Sequence, residues 1–117
     1  MLLPEPPILD IVAPCIYNNI MFLPDPLDFQ WDKGNVDKNL AKHGLSNQEI
    51  EEAFLDEEKI LYDDVFHSGA EERFILIGKS RTERLVYIVF TVRESMVRVI
   101  SARDLNRKEY LIYEKRA

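Results

Sequence analysis

The chain has 117 residues, 46% hydrophobic and 31% charged, which suits one folded domain and excludes global disorder. Its single cysteine, Cys15, excludes an intramolecular disulfide and a cysteine-based zinc site, as fits a reducing cytoplasm. The net charge of −6 speaks against a nucleic-acid partner as a sum but not as a distribution: residues 29–67 hold 4 basic and 10 acidic groups, residues 68–117 hold 11 basic and 7 acidic.

All six prolines lie in the first 26 residues, so residues 1–27 read as an extended proline-rich arm rather than a helix or central strand. Met21 stands just before the patterned region, and an internal start there would make the first twenty residues no part of the native protein. No run is long and apolar enough to cross a bilayer: Ile8 to Met21 is broken by Asp10, Pro14 and Asn18-Asn19. The first basic residue is Lys33, so a signal peptide's positive start is missing. These features predict a cytoplasmic chain.

The domain expected over 28–117 opens at Phe29-Gln30-Trp31-Asp32. Asp32 is a helix N-cap candidate, and Val36, Leu40 and His43 follow at the spacing of one helical face. Gly44 supplies the stop. Ser46 and Glu49 have capping-box spacing for a second helix, with Leu45 and Ile50 as its staple and Ile50, Ala53 and Phe54 as its buried face. The period then changes. Ile60–Phe66, Arg73–Gly78, Leu85–Val92 and Met96–Ser101 are rich in β-branched and aromatic residues and read as strands. Their links are short, which favours antiparallel neighbours. A last helix is expected from Asp104 to Glu114, with Ser101 and Asp104 at cap spacing. The prediction is α+β: two N-terminal helices, a four-stranded antiparallel sheet covered mainly on one face, and a C-terminal helix.

Chemistry concentrates in the strip His67-Ser68-Gly69-Ala70-Glu71-Glu72-Arg73. It sets an imidazole for proton transfer, two carboxylates, and a forked permanent cation within seven residues. A polar turn with surface Glu–Arg pairs is the other reading of the same strip. Arg84, Arg98, Arg103 and Arg107 form a second basic set. Strand alternation sends Arg98 to the face opposite Val97 and Val99. Tyr110 and Tyr113 can stack on an exposed base or pack on the sheet. Asp63-Asp64 with His67 lacks an established ligand spacing, so no metal site is expected.

The ordered set Phe29-x-Trp31-Asp32, Asn39-x-x-Lys42-His43-Gly44-x-Ser46-x-x-Glu49, His67-Ser68-x-x-Glu71-Glu72-Arg73, Ile77-Gly78-x-Ser80, Arg98-x-Ile100-Ser101-Ala102-Arg103 and Glu109-x-x-x-Tyr113-Glu114 resembles the BrnT family of ribonuclease toxins. The likeness runs through 29–117 and leaves 1–28 outside. Glu57 stands where proline is expected, and Ile50 where alanine is expected. The resemblance implies a RelE-like fold, RNA cleavage without a cofactor, and a BrnA-like antitoxin of the ribbon-helix-helix DNA-binding type. Operator DNA would then be reached only through that antitoxin. It further implies catalytic roles among His67, Glu71, Glu72, Arg73, Arg98 and Arg103, with Arg84, Arg107 and Tyr113 as RNA contacts. The competing reading is a protein-interaction module that keeps the fold and has lost catalysis, which the acidic pI of 4.9 favours.

Overall fold

The computed structural model describes residues 23–64 and 69–116. Two short helices, α1 (Lys38–His43) and α2 (Asn47–Ala53), precede strands β1 (Ile60–Asp63), β2 (Phe74–Lys79), β3 (Leu85–Arg93) and β4 (Met96–Asp104). Helix α3 (Arg107–Arg116) closes the chain. The strands form one antiparallel meander in the order β1-β2-β3-β4, as their short links predict. No helix among the described residues is long and apolar enough to cross a membrane.

Helix α2 forms as its sequence dictates. Ser46 Oγ accepts from Glu49 N, and Glu49 Oε1 accepts from Ser46 N, so both free amides find partners. Its apolar side enters the larger core with Leu45, Ile50, Ala53 and Phe54 beside Leu76, Val86, Ile88, Phe90, Val97 and Val99. Phe54 meets Phe90 edge-on at 5.0 Å and Phe29 at 5.1 Å, and truncating it to alanine would cost about 3–5 kcal/mol. Trp31 anchors the same side by donating Nε1–H to Glu51 at 2.7 Å. Leu23 and Leu27, from the end of the expected arm, also pack on this core. Residues 1–22 lie outside the described part.

Three expectations change. The sheet is apolar on both faces, not mainly one: Ile60, Tyr62, Ile75 and Ile77 form a second core with Ile112 and Tyr113 of α3. The first helix is confined to 38–43, and residues 33–37 form turns instead. Val36 and Leu40 are 40% and 47% exposed, while Asn35 and Asn39 are buried. The reason lies at the outer edge of β4. Asn35 Nδ2 donates to Val99 O and Asn39 Oδ1 accepts from Ala102 N, so two amide side chains satisfy an edge that would otherwise be open. Finally, β4 runs to Asp104 rather than Ser101, so α3 starts three residues later than expected. A bulge pairs Val89 with Ser101 but Phe90 with Val99, leaving Ile100 as the extra residue, and pairing continues to Val86↔Asp104. Asn106 and Glu109, not Ser101 and Asp104, make the reciprocal cap of α3.

Candidate functional site

Register and alternation put Arg73, Thr91, Arg93 and Arg98 on the face of the sheet that α3 also uses. Ile112 and Tyr113 of α3 pack with Ile60, Tyr62, Ile75 and Ile77. The β3–β4 hairpin end carries the arginines. The turn Glu94-Ser95 has φ 52° and 65° at its two residues, the geometry of a tight two-residue hairpin. It pairs Arg93 with Met96 and Thr91 with Arg98, which makes Arg93 and Arg98 diagonal neighbours.

Each of these arginines holds a carboxylate with two hydrogen bonds. Arg93 donates from Nε and Nη2 to Glu71 at 2.6 and 3.0 Å. Arg98 donates from Nη1 and Nη2 to Asp32 at 2.7 and 3.1 Å. The Arg93 hydrogen bonds hold the Glu71 carboxyl below its ordinary value, and the charges of Arg73 and Arg98 push the same way. The Arg98 hydrogen bonds, then that from Gly34 N–H, do the same for Asp32, with Arg93 adding its charge. Glu71, Asp32 and three arginines therefore share one electrostatic neighbourhood. A cleft of about 410 Å³ opens there between Ala70, Glu71, Glu72, Phe74, Thr91 and Val92. Glu72 is exposed, and its carbonyl accepts from the buried Thr91 hydroxyl at 2.6 Å, which ties the strip to β3. His67, at the head of the strip, lies outside the described residues.

The remaining candidates sit elsewhere. Arg103 is five residues beyond Arg98 on β4, roughly 15 Å at ordinary strand rise. It grips Glu109 with two bonds of 2.8 Å, donates to Asp104 O, and lies 4.0 Å over the Tyr87 ring. Arg84 donates to the carbonyls of His43 and Gly44 and to both oxygens of Asp104. Tyr113 is 5% exposed, and its hydroxyl donates to Asp56 at 2.7 Å. Burial pushes the Tyr62, Tyr87 and Tyr113 hydroxyls upward, so all three stay protonated at neutral pH. Arg107 is exposed at the start of α3.

Sequence reasoning singles out neither Arg93 nor the partnership of Asp32 with Arg98. The hairpin signal for Arg93 is present in principle, since a two-residue turn between β-rich runs fixes which residues become cross-strand neighbours.

The sequence model of one family, described as the ribonuclease toxin BrnT of type II toxin–antitoxin systems, matches residues 31–109. The chain belongs to the BrnT family. The matched span contains Asp32, the strip, Arg93, Arg98 and Arg103, so the hairpin-end cluster is built wholly from BrnT-type sequence. Family membership makes the chain a ribonuclease toxin with an antitoxin as its partner. No curated protein matches it.

Proposed function

We propose that residues 28–117 form a RelE-like endoribonuclease that cuts RNA without a metal ion, at the hairpin end of the sheet. The observation that carries this reading is the pairing of Glu71 of the strip with Arg93, which stands diagonal to Arg98 across the β3–β4 hairpin, beside an open cleft at Glu71. In this reaction the ribose 2′-oxygen bonds to the adjacent phosphorus and the bond from phosphorus to the 5′-oxygen breaks. A base takes the 2′-OH proton, an acid gives a proton to the leaving 5′-oxygen, and cations balance charge building on phosphorus. Arg73, Arg93 and Arg98 supply the cations. Glu71 is held ionised below the ordinary carboxylate range, which makes it a weak proton acceptor. Its role is to orient Arg93, while His67 and Glu72 move protons. The same chemistry gives a 2′,3′-cyclic phosphate and a free 5′-hydroxyl.

The partner in this proposal is a BrnA-like antitoxin of the ribbon-helix-helix type, and operator DNA is reached only through it. The cytoplasm is the site of action. Inducible expression in a bacterial host tests the reading. Growth arrest, rescued by the antitoxin and accompanied by cyclic-phosphate ends on cellular RNA, is expected. Unimpaired growth with intact RNA would instead identify a non-catalytic interaction module.

A further inference from the structure

Arg98 is held by more than one carboxylate contact. Its guanidinium turns toward the outer edge of β4, where residues 28–39 run alongside. That segment is fastened to the strand independently of Arg98. Val97 N donates to Asp28 O, Gln30 N to Val97 O, Asn35 Nδ2 to Val99 O, Lys38 Nζ to Ile100 O, and Ala102 N to Asn39 Oδ1, all within 2.8–3.1 Å. The same Asn35 accepts from Asp32 N at 2.8 Å, which sets the backbone at the residue facing Arg98.

On this bracket, Asp32 presents both carboxylate oxygens to the Arg98 fork, and Gln30 Oε1 accepts a further bond from Nη1 at 3.3 Å. The Asp32 carboxylate is itself pinned, because Oδ1 accepts from Gly34 N at 2.8 Å. Gly34 also leaves the guanidinium its place: a Cβ there would stand 2.8 Å from Arg98 Nη2 and 3.2 Å from Asp32 Oδ1. The Asp32 side chain is half exposed, and an ion pair open to solvent on its carboxylate side adds little to stability. The segment is already fastened by the five bonds above. What the pair adds is a fixed guanidinium. Among the described residues Asp32 and Gln30 together engage three of the five Arg98 donors, which leaves Nε–H and one Nη2–H for an anionic oxygen.

We propose that Asp32, seated on the 30–35 bracket and assisted by Gln30 and Gly34, is a positioning residue that aims the Arg98 guanidinium at the scissile RNA phosphate. This rests on the reading that Arg98 acts on that phosphate. The bracket explains a carboxylate beside a phosphate-binding arginine: it spends one edge of the fork on orientation and leaves the other for substrate.

A double-mutant cycle tests the inference, using the purified full chain and an end-labelled RNA oligonucleotide that spans a site the wild type cuts in total bacterial RNA. D32N keeps an oxygen for Gly34 N but removes the charge, and its kcat/KM should fall about tenfold with the melting temperature unchanged. In an R98A background the same substitution should change the rate less than about twofold, because the residue it positions is gone. An equal loss in both backgrounds overturns the proposal, since Asp32 would then act apart from Arg98. Full activity of D32N beside an impaired R98A also overturns it, while the role of Arg98 stands. Full activity of R98A overturns the reading of Arg98 and this inference with it. If D32N fails to fold, G34A replaces it in the cycle with the same expectations.

Discussion

The hairpin end and the α2–α3 end of the sheet both carry arginines bound to carboxylates, yet the two sets are built differently. Arg84 and Arg103 at the α2–α3 end also hold main-chain carbonyls, those of His43, Gly44 and Asp104, and Arg103 is stacked on Tyr87. Moving Arg84 would strand two carbonyls and break a join to residues 40 and 41 positions away, and moving Arg103 would release the Asp104 carbonyl and Glu109 of α3. Among the described residues, Arg93 and Arg98 at the hairpin end bind side chains alone: Glu71, Asp32 and Gln30. Phosphate can approach their remaining donors, or replace a carboxylate on them, without opening the fold. An arginine's carboxylate partner therefore says little about its role; the presence or absence of a backbone partner says more.

The largest effect that could break this contrast is catalytic. R98A and R73A should each lower kcat/KM about a hundredfold, the loss expected when one electrostatic donor to a transition state is removed. Cleavage rates measured at equal folded protein check this, and near-wild-type rates for both would empty the hairpin end of function. Next in size is a stability effect at the other end. R84A should lower unfolding free energy by about 2 kcal/mol, because it strands two carbonyls and Asp104, and urea denaturation would read it. Its rate per folded molecule should stay at the wild-type level.

How much of this contrast is legible in the sequence depends on range. Ser46 and Glu49 announce the α2 cap because capping is decided within three residues. The four strands and their order follow from local composition and short links. Asp32 misleads because its carboxylate accepts from Gly34 N in a turn, with no helix starting there, and is otherwise claimed by Arg98, 66 positions away. Val36 and Leu40 mislead for a related reason: the edge of β4 demands hydrogen-bonding side chains, so Asn35 and Asn39 turn inward instead. Within the site, the strip's residue types are readable, as is the facing of Arg98. Whether Arg98 or Arg103 joins the strip is decided by strand register and the Ile100 bulge, which composition does not encode. Register sets Arg98 diagonal to Arg93, which holds Glu71, and leaves Arg103 with Glu109.

Smaller effects sharpen the same contrast. Y113F removes the hydroxyl that donates to Asp56 and should cost about 1 kcal/mol in thermal or chemical unfolding, with RNA cleavage unchanged. A drop in cleavage without a drop in stability would return Tyr113 to the RNA surface. The smallest effect is a titration. Asp32 and Glu71 are both depressed by their arginines, so each ion pair persists above the ordinary carboxylate range and is lost as pH falls through the lowered value. Carboxyl-carbon NMR should place both midpoints below that range, with R98A raising Asp32 and R93A raising Glu71.

The most direct measurement of where RNA meets this BrnT-family chain is an NMR titration with a short RNA whose ribose 2′-oxygens are methylated and which therefore cannot be cut by 2′-attack. The guanidinium Nε–H signals of Arg93 and Arg98 should move, together with the amides of Thr91 and Val92, while those of Arg84 and Arg103 stay. Shifts centred on Arg84, Arg103 and Tyr113, with the hairpin end silent, would contradict it.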